Sequence, residues 1–294
     1  MAGMEFRTMN THRIEVEQGT RFEFGINWSK FLKVIDDSRI ARAERTIQEL
    51  LGTRDLSGMS FLDIGCGSGL FSLAARQLGA KVHSFDYDPA SVACTVAMKR
   101  NFHSSDPHWI VEQGSILDSD YLKSLGQFDI VYSWGVLHHT GSMWQALRNI
   151  ASLVKPQGKL AIAIYNDQGR MSKHWLLMKK TYNRLPSGLR WLVLWPAFLR
   201  LWGPTLARDL MSGTPFHSWS EYSNIRGMSP WRDVVDWVGG YPFEVAKPEA
   251  IFEFYQKQGF TMVGLHTCGG GHGCNEFVFL GNTHRGQDNG ADHD

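Results

Sequence analysis

The sequence predicts an α/β fold in which a largely parallel sheet is covered by helices on both faces. Three observations carry this expectation. From residue 60 onward short apolar runs alternate with helical stretches; the first run passes through three closely spaced glycines straight into a helix; and after a long interruption a helix and two further strand-like runs close the pattern. At 294 residues, 43% of them hydrophobic, the chain has ample material for a core.

The elements follow in order. Residues 37–51, "DSRIARAERTIQELL", place Ile40, Ala43, Ile47 and Leu50 at helical spacing, with Asp37 near the start as a cap. Ahead of them "FEFGINWSKFL" gathers Phe24, Trp28, Phe31 and Leu32 as packing surface. Apolar runs at 61–64, 81–85, 109–111, 128–133 and 160–165 read as strands, with helices near 69–78, 90–101 and 142–153 between them. Residues 168–246 break the rhythm and are rich in Trp, Pro, Arg and Gly. In "KPEAIFEFYQKQGF" Pro248 suits a first helical turn and Gly259 a stop, after which "TMVGLHTC" and "NEFVFLG" read as two strands joined through a glycine-rich loop. The chain thus divides into an N-terminal helical segment packing on the core (1–57), the core itself (58–167 and 247–281), an inserted cap (168–246) and a tail with almost nothing to bury (282–294).

Composition narrows the function. Thirty Lys and Arg against 29 Asp and Glu leave no general field to attract nucleic acid or anionic lipid. The start lacks a secretory pattern and no run reaches about 18 apolar residues, so a cytoplasmic location is expected. Cys66, Cys94, Cys268 and Cys274 are too sparse for a disulfide framework.

The glycines carry the most information. In "FLDIGCGSG" Gly65, Gly67 and Gly69 stand where the backbone must turn tightly and approach a ligand closely. The spacing is not the G-x-G-x-x-G of dinucleotide sites, and no Lys followed by Ser or Thr makes it a Walker A loop. The stretch resembles the first motif of the class I S-adenosylmethionine-dependent methyltransferases, D-x-G-x-G-x-G, as Asp63, Gly65, Gly67 and Gly69. The resemblance continues through "VHSFDYDP", "VEQGSILD", "FDIVYSWGVLHHTG" and "LVKPQGKLAIAIYN", in the family's order. It implies a Rossmann-like sheet of seven strands with the last antiparallel, and S-adenosyl-L-methionine as cofactor. The turn from Gly65 through Cys66, Gly67 and Ser68 to Gly69 would hold its methionine part, and Asp86, beside Tyr87, its ribose hydroxyls. Ser115, Ile116 and Leu117 would flank the adenine, whose amino group could be read by backbone, by Ser115 or by Asp118; Ser133 and Trp134 complete the cofactor side.

Ligands of open α/β sheets bind beyond the carboxyl ends of the strands, which points to His138, His139 and Tyr165 as candidate catalytic groups. A histidine near neutral pKa is a suitable base for a phenol or hydroxyl. "IYND" lacks the N/D-P-P-Y/F motif of family members acting on amino groups, so the chemistry leans to oxygen, and less to carbon or nitrogen, of a small-molecule acceptor. Trp28, Asn166, His217, Tyr222, Arg226, Arg232 and Glu244 are the candidate acceptor contacts, the arginines as clamps for a carboxylate or phosphate. The insertion resembles that of a bacterial small-molecule branch related to the quinone-pathway O-methyltransferases.

Inside the insertion, "SKHWLLMKKTYNRLP" reads as an amphipathic helix with Trp175, Leu176 and Met178 on one side and Lys179 and Lys180 elsewhere. "GLRWLVLWPAFLRLW" (residues 188–202) is apolar nearly all round and too short to span a bilayer, so burial in the cap or in a homodimer contact is expected ahead of peripheral membrane contact. His266, Cys268, His272 and Cys274 do not match the pairing of structural zinc sites, and no metal is expected. Two other functional classes stay open: an RNA-nucleoside methyltransferase, which would want a basic stripe the chain lacks, and a protein that binds the cofactor without catalysis.

Overall fold

The structure, a computed structural model, describes residues 11–25, 28, 32, 35–226 and 229–282, with side chains left out for 223–226. Phe31, the Arg226 side chain and residues 283–294 of the expected tail lie outside the described residues.

Seven strands form one sheet: β1 (Ser60–Ile64), β2 (Lys81–Asp86), β3 (Trp109–Gln113), β4 (Phe128–Trp134), β5 (Val154–Tyr165), β6 (Phe260–His266) and β7 (Cys274–Gly281). Their order is β3-β2-β1-β4-β5-β7-β6. β1 to β5 pair in parallel, and β7 runs antiparallel to both β5 and β6. The chain leaves β1 towards β2 and returns for β4 on the other side, so a crevice opens at the carboxyl ends of β1 and β4.

The helices are α1 (Asp37–Leu51), α2 (Leu70–Gln77), α3 (Pro89–His103), α4 (Ser119–Leu125), α5 (Met143–Ser152), α6 (Arg170–Arg184), α7 (Trp191–Met211), α8 (His217–Arg226), α9 (Pro230–Gly239) and α10 (Pro248–Gln256). Strand alternation sorts the sheet side chains between two cores. Phe61, Ile130, Tyr132 and Ala161 pack with Ile40, Ala43 and Ile47 of α1 and Leu73 and Ala74 of α2. Leu62, Val131 and Ile162 pack with Leu147 and Ile150 of α5 and Ile251 and Tyr255 of α10 on the other face. A third cluster, built on Trp175, Leu194, Phe198 and Val234, holds the cap helices together.

Several local expectations are corrected. The cap of α1 is Asp36, one residue before Asp37; its carboxylate accepts the Arg39 N–H at 2.9 Å. β5 begins at Val154 rather than near 160, because Phe128 pairs with Val154 before the register shifts. On α6 the buried stripe is Ser172, Trp175, Lys179, Tyr182 and Asn183, while Leu176 faces out. Lys179 is tolerated inside because its ammonium donates to the Trp237 carbonyl and lies over the Trp237 and Phe243 rings at 4.3 and 4.7 Å. Burial holds its pKa well below the usual lysine value. Finally, α7 runs 21 residues through Pro196 and Pro204, and it is not apolar-buried all round: Leu194, Ala197 and Phe198 turn inward while Trp191, Trp195 and Leu199 face out.

Two truncations to alanine should separate core from surface. Phe279, fully buried against Tyr255 at 4.6 Å, should cost about 3–5 kcal/mol on change to Ala, whereas Leu199→Ala should stay within about 0.5 kcal/mol, both read from urea unfolding midpoints.

Candidate active site

The turn between β1 and α2 is built from backbone. Gly65, Gly67 and Gly69 have φ of 76°, 54° and 80°, in the left-handed region that penalises side chains. A Cβ on Gly65 would stand 2.4 Å from Val136, in the loop after β4. One on Gly67 would stand 3.1 Å from the Trp28 ring. The N–H groups of Gly65 and Cys66 donate to the Phe85 carbonyl at 2.8 and 3.2 Å, tying the turn to β2. Thr95 Oγ1 donates to the Gly67 carbonyl at 3.2 Å and closes it from α3.

Asp86 ends β2 beside this turn. Its Oδ2 accepts the Gly67 N–H at 3.0 Å and its Oδ1 the Asp88 N–H at 2.9 Å, so the carboxylate is fixed by backbone. Burial pushes its pKa up to about 7, opposed by these same hydrogen bonds. Asp63, 2% exposed, accepts from Ser72 Oγ at 2.5 Å, and burial raises it to about 6.

A cavity of 1010 Å³ opens over these groups. Its wall includes Asp63, the Gly65–Ser68 turn, Asp86 and Tyr87, the run from Ser115 to Asp118, and Trp134, His139 and Tyr165. Pockets for one drug-sized ligand run about 300–1,000 Å³, so this one has room for a nucleoside-sized cofactor together with a small acceptor. Gly69 caps α2 behind the turn. Ser133, fully buried, donates to the Ile64 carbonyl at 3.0 Å and splints β4 to β1 instead of facing the cavity. Asp118 spends Oδ1 on the N–H groups of Asp120 and Tyr121, and Ser115 Oγ accepts from Leu117.

The two histidines part company. His139 Nδ1 lies 2.6 Å from the Pro242 carbonyl oxygen, so the proton sits on Nδ1 and Nε2 is bare. Burial, followed by the Lys179 cation, lowers its pKa to about 3, well short of the near-neutral base the sequence suggested. His138 is fully buried and absent from the cavity wall; its Nδ1 accepts the Tyr165 N–H at 3.3 Å and its ring lies 3.8 Å from that of Tyr165. It packs on Tyr165 away from the cavity wall, and its Nε2 is buried with no hydrogen-bond partner among the described residues.

The remaining expected acceptor contacts scatter. Trp28 lines the cavity. Asn166 binds Asn275 and the Gly271 carbonyl, fastening β5 to the glycine-rich loop. Glu244 accepts the Met143 N–H at 2.9 Å and so caps α5. His217 and Arg232 are exposed, on α8 and α9. Tyr222 donates to Asp233 Oδ2 at 2.7 Å. Asp233 and Asp236, three residues apart on α9, face the cavity, while Arg232 between α9 and solvent points away. Among the described residues no group of three His, Cys, Asp or Glu side chains converges as for a metal.

A family model described as a methyltransferase domain matches residues 36–196, more than half of the chain. The chain belongs to that family. A ubiquinone biosynthesis O-methyltransferase of Rhodopseudomonas palustris (strain TIE-1) is 27% identical over 135 residues, 46% of this chain and 50% of the relative. A ribosomal protein L11 methyltransferase of Methylococcus capsulatus is 34% identical over 116 residues, 39% of this chain and 36% of the relative. The chain therefore spans about half the length, or less, of these curated relatives. Among solved structures, PKMT2 from Rickettsia typhi in complex with AdoHcy superposes with a TM-score of 0.53 at 16% identity, covering 81% of this chain and 52% of that one. At that identity the likeness concerns the fold.

The methyltransferase domain has wall residues that sequence reasoning missed. The segment before α1 lies along the cavity with His12, Glu15, Arg21 and Phe24. It is held by the Gly25 N–H on Asp88 Oδ2 at 2.8 Å and by Arg21, which pairs with Glu15 at 2.5 Å and donates to the His139 carbonyl at 3.1 Å. No motif marks it, and its aromatics read equally well as packing. Arg39 and Arg42 of α1 also line the wall. Their signal was available: with Thr46 they form a polar stripe at i, i+3 and i+7 along one edge of the buried stripe.

Gly65→Ala tests the close packing. With φ at 76° and a Cβ driven to 2.4 Å from Val136, the variant should fold with a lowered melting temperature and bind the demethylated cofactor at least about tenfold more weakly by calorimetry.

Proposed function

We propose that this chain is an S-adenosylmethionine-dependent methyltransferase that methylates an oxygen of a small molecule held between the sheet and the cap. One observation carries the reading: a single cavity joins the Gly65–Ser68 turn and Asp86 to His139 and Tyr165. The donor set suits the cofactor. Gly65 and Gly67 leave backbone where a methionine tail needs close approach, and Asp86 presents a fixed carboxylate to which a vicinal diol can donate twice. Bound there, S-adenosylmethionine supplies a methyl group activated for direct transfer.

The chain's own residues align the acceptor and keep water out. Phe24 and Tyr165, whose rings lie 5.0 and 5.3 Å from that of His139, give the cavity wall beside it an aromatic lining suited to a ring-bearing acceptor. His139, neutral with Nε2 bare, accepts the hydrogen bond of the acceptor's hydroxyl and orients its lone pair. With its pKa lowered to about 3 it does not keep the proton, which passes on to solvent as the acceptor loses it. Asp233, steadied by Tyr222, and Asp236 offer acceptors for further hydroxyls on the substrate. The likeness to ubiquinone biosynthesis O-methyltransferases supports oxygen as the acceptor atom.

The deciding experiment incubates purified protein with donor labelled in the methyl group and a panel of phenols, catechols and hydroxy acids. Label transfer to an oxygen supports the reading; tight binding of the demethylated cofactor with no transfer to any acceptor class overturns it in favour of a non-catalytic binder.

Two further outcomes follow from Asp86 and His139. Because the Asp86 carboxyl sits near pKa 7 and accepts from the ribose only when ionised, binding releases a proton at acidic pH. Affinity for the demethylated cofactor should climb as pH rises from about 5.5 and level off above about 7, and Asp86→Ala should abolish this dependence and weaken binding by about 1.5–3 kcal/mol in calorimetry. His139→Ala should lower kcat by about 10²-fold or more while leaving that affinity within about threefold, as measured by steady-state turnover and titration.

A further inference from the structure

The cap carries a surface that the cavity does not use. On α7, Trp191, Leu192, Trp195 and Leu199 are 55, 49, 51 and 60% exposed. At 100° per residue these four fall within an arc of about 100°, one continuous face of the helix. Leu210 returns to the same side one and a half turns beyond Pro204 and is 70% exposed. A patch of this kind marks an interaction surface.

Charge identifies the partner. Residues 168–216 contain eight Lys and Arg and one acidic residue, Asp209. Asp209 is 5% exposed, with its carboxylate taken by the N–H and hydroxyl of Ser218. Arg170, Lys173, Arg184, Arg200 and Arg208 are all exposed. The surface of this segment is thus cationic and apolar with no exposed carboxylate, although the chain as a whole has a net charge of +1.

We propose that this face of the cap docks on an anionic lipid surface, with α7 lying in the headgroup layer. Tryptophan rings suit that layer, and arginine stems cover apolar surface while their heads stay with phosphates. Lying flat is the arrangement that fits, since no helix among the described residues is long and apolar enough to cross a membrane and α7 holds Pro196, Pro204 and Arg200. At the same spacing Arg200 lies about 80° past the edge of this face and Arg208 on the far side of the helix, which puts the cations on the polar side as in an interfacial helix. A twofold contact between two such segments would bring like charges together with no exposed carboxylate in either to meet them. The docking face and the cavity are one helix apart, for Trp195 packs on Trp231 of α9 at 5.5 Å, and α9 supplies Asp233 and Asp236 to the cavity wall.

The test is co-sedimentation of the full chain with vesicles of phosphatidylcholine alone and with about one third phosphatidylglycerol. Binding to the anionic vesicles, weakened by about 0.5 M salt and accompanied by a blue shift of tryptophan emission, is the expected result. The double variant Leu192→Glu, Leu199→Glu and the single variant Arg200→Glu should each reduce partitioning about tenfold or more. Affinity for the demethylated cofactor and the melting temperature serve as controls and should not move, which separates this surface from the reading of the cavity. Failure to bind anionic vesicles, equal binding to neutral ones, or binding untouched by the variants overturns the proposal. So does a dimer in sedimentation velocity that the leucine variants dissolve, which would assign the face to a second copy.

Discussion

The constraint on which the crevice depends is the approach of the Gly65 backbone to Val136. The end of β1 and the loop after β4 lie so close that no side chain fits between them. That closeness makes the floor of the crevice out of backbone, and the backbone in turn fixes Asp86 through the Gly67 N–H. A carboxylate held this way keeps its direction without any neighbouring cation, and burial leaves it easily protonated until something donates to it. The ligand end of the molecule is therefore organised by the sheet's switch point and needs nothing from the cap.

The end of β5 is organised differently. There it meets the cap through His138 and Lys179, both buried, and the partly buried Tyr165 and Trp237. The hydrogen bonds here run to main-chain atoms: His138 Nδ1 takes the Tyr165 N–H, His139 Nδ1 holds the Pro242 carbonyl and Lys179 the Trp237 carbonyl, while His138 Nε2 and Trp237 Nε1 are buried with no hydrogen-bond partner among the described residues. Such a cluster is costly to desolvate but leaves little freedom in how the cap sits, because the bonds that are made form in one arrangement. The cap is locked to the core by polar contacts on its inner side while its outer side, along α7, keeps its apolar residues exposed.

How far the sequence could be read differs from feature to feature for physical reasons. Strand and helix alternation and the glycine turn were legible because each is a local pattern: period two, period 3.6, and left-handed backbone that only glycine adopts freely. Asp86 was singled out by the family resemblance, and the structure puts it beside that turn. The same locality misled elsewhere. Lys179 reads as a surface residue on any hydrophobicity pattern, since nothing nearby in sequence announces the Trp237 carbonyl 58 residues on that receives its ammonium. Ser133, Asn166 and Glu244 lie next to strand ends where ligands bind, yet each is turned to bridging or capping its neighbours.

By itself the sequence determined the α/β class, the order of the core elements and the glycine turn after β1, because these rest on short-range backbone preferences and periodic burial. Only the tertiary structure decided which histidine meets the cavity, which arginines and aspartates line it, and which side of α7 is left to solvent. Those outcomes depend on contacts between segments far apart in the chain, where a residue's role is set by what packs against it rather than by what precedes it.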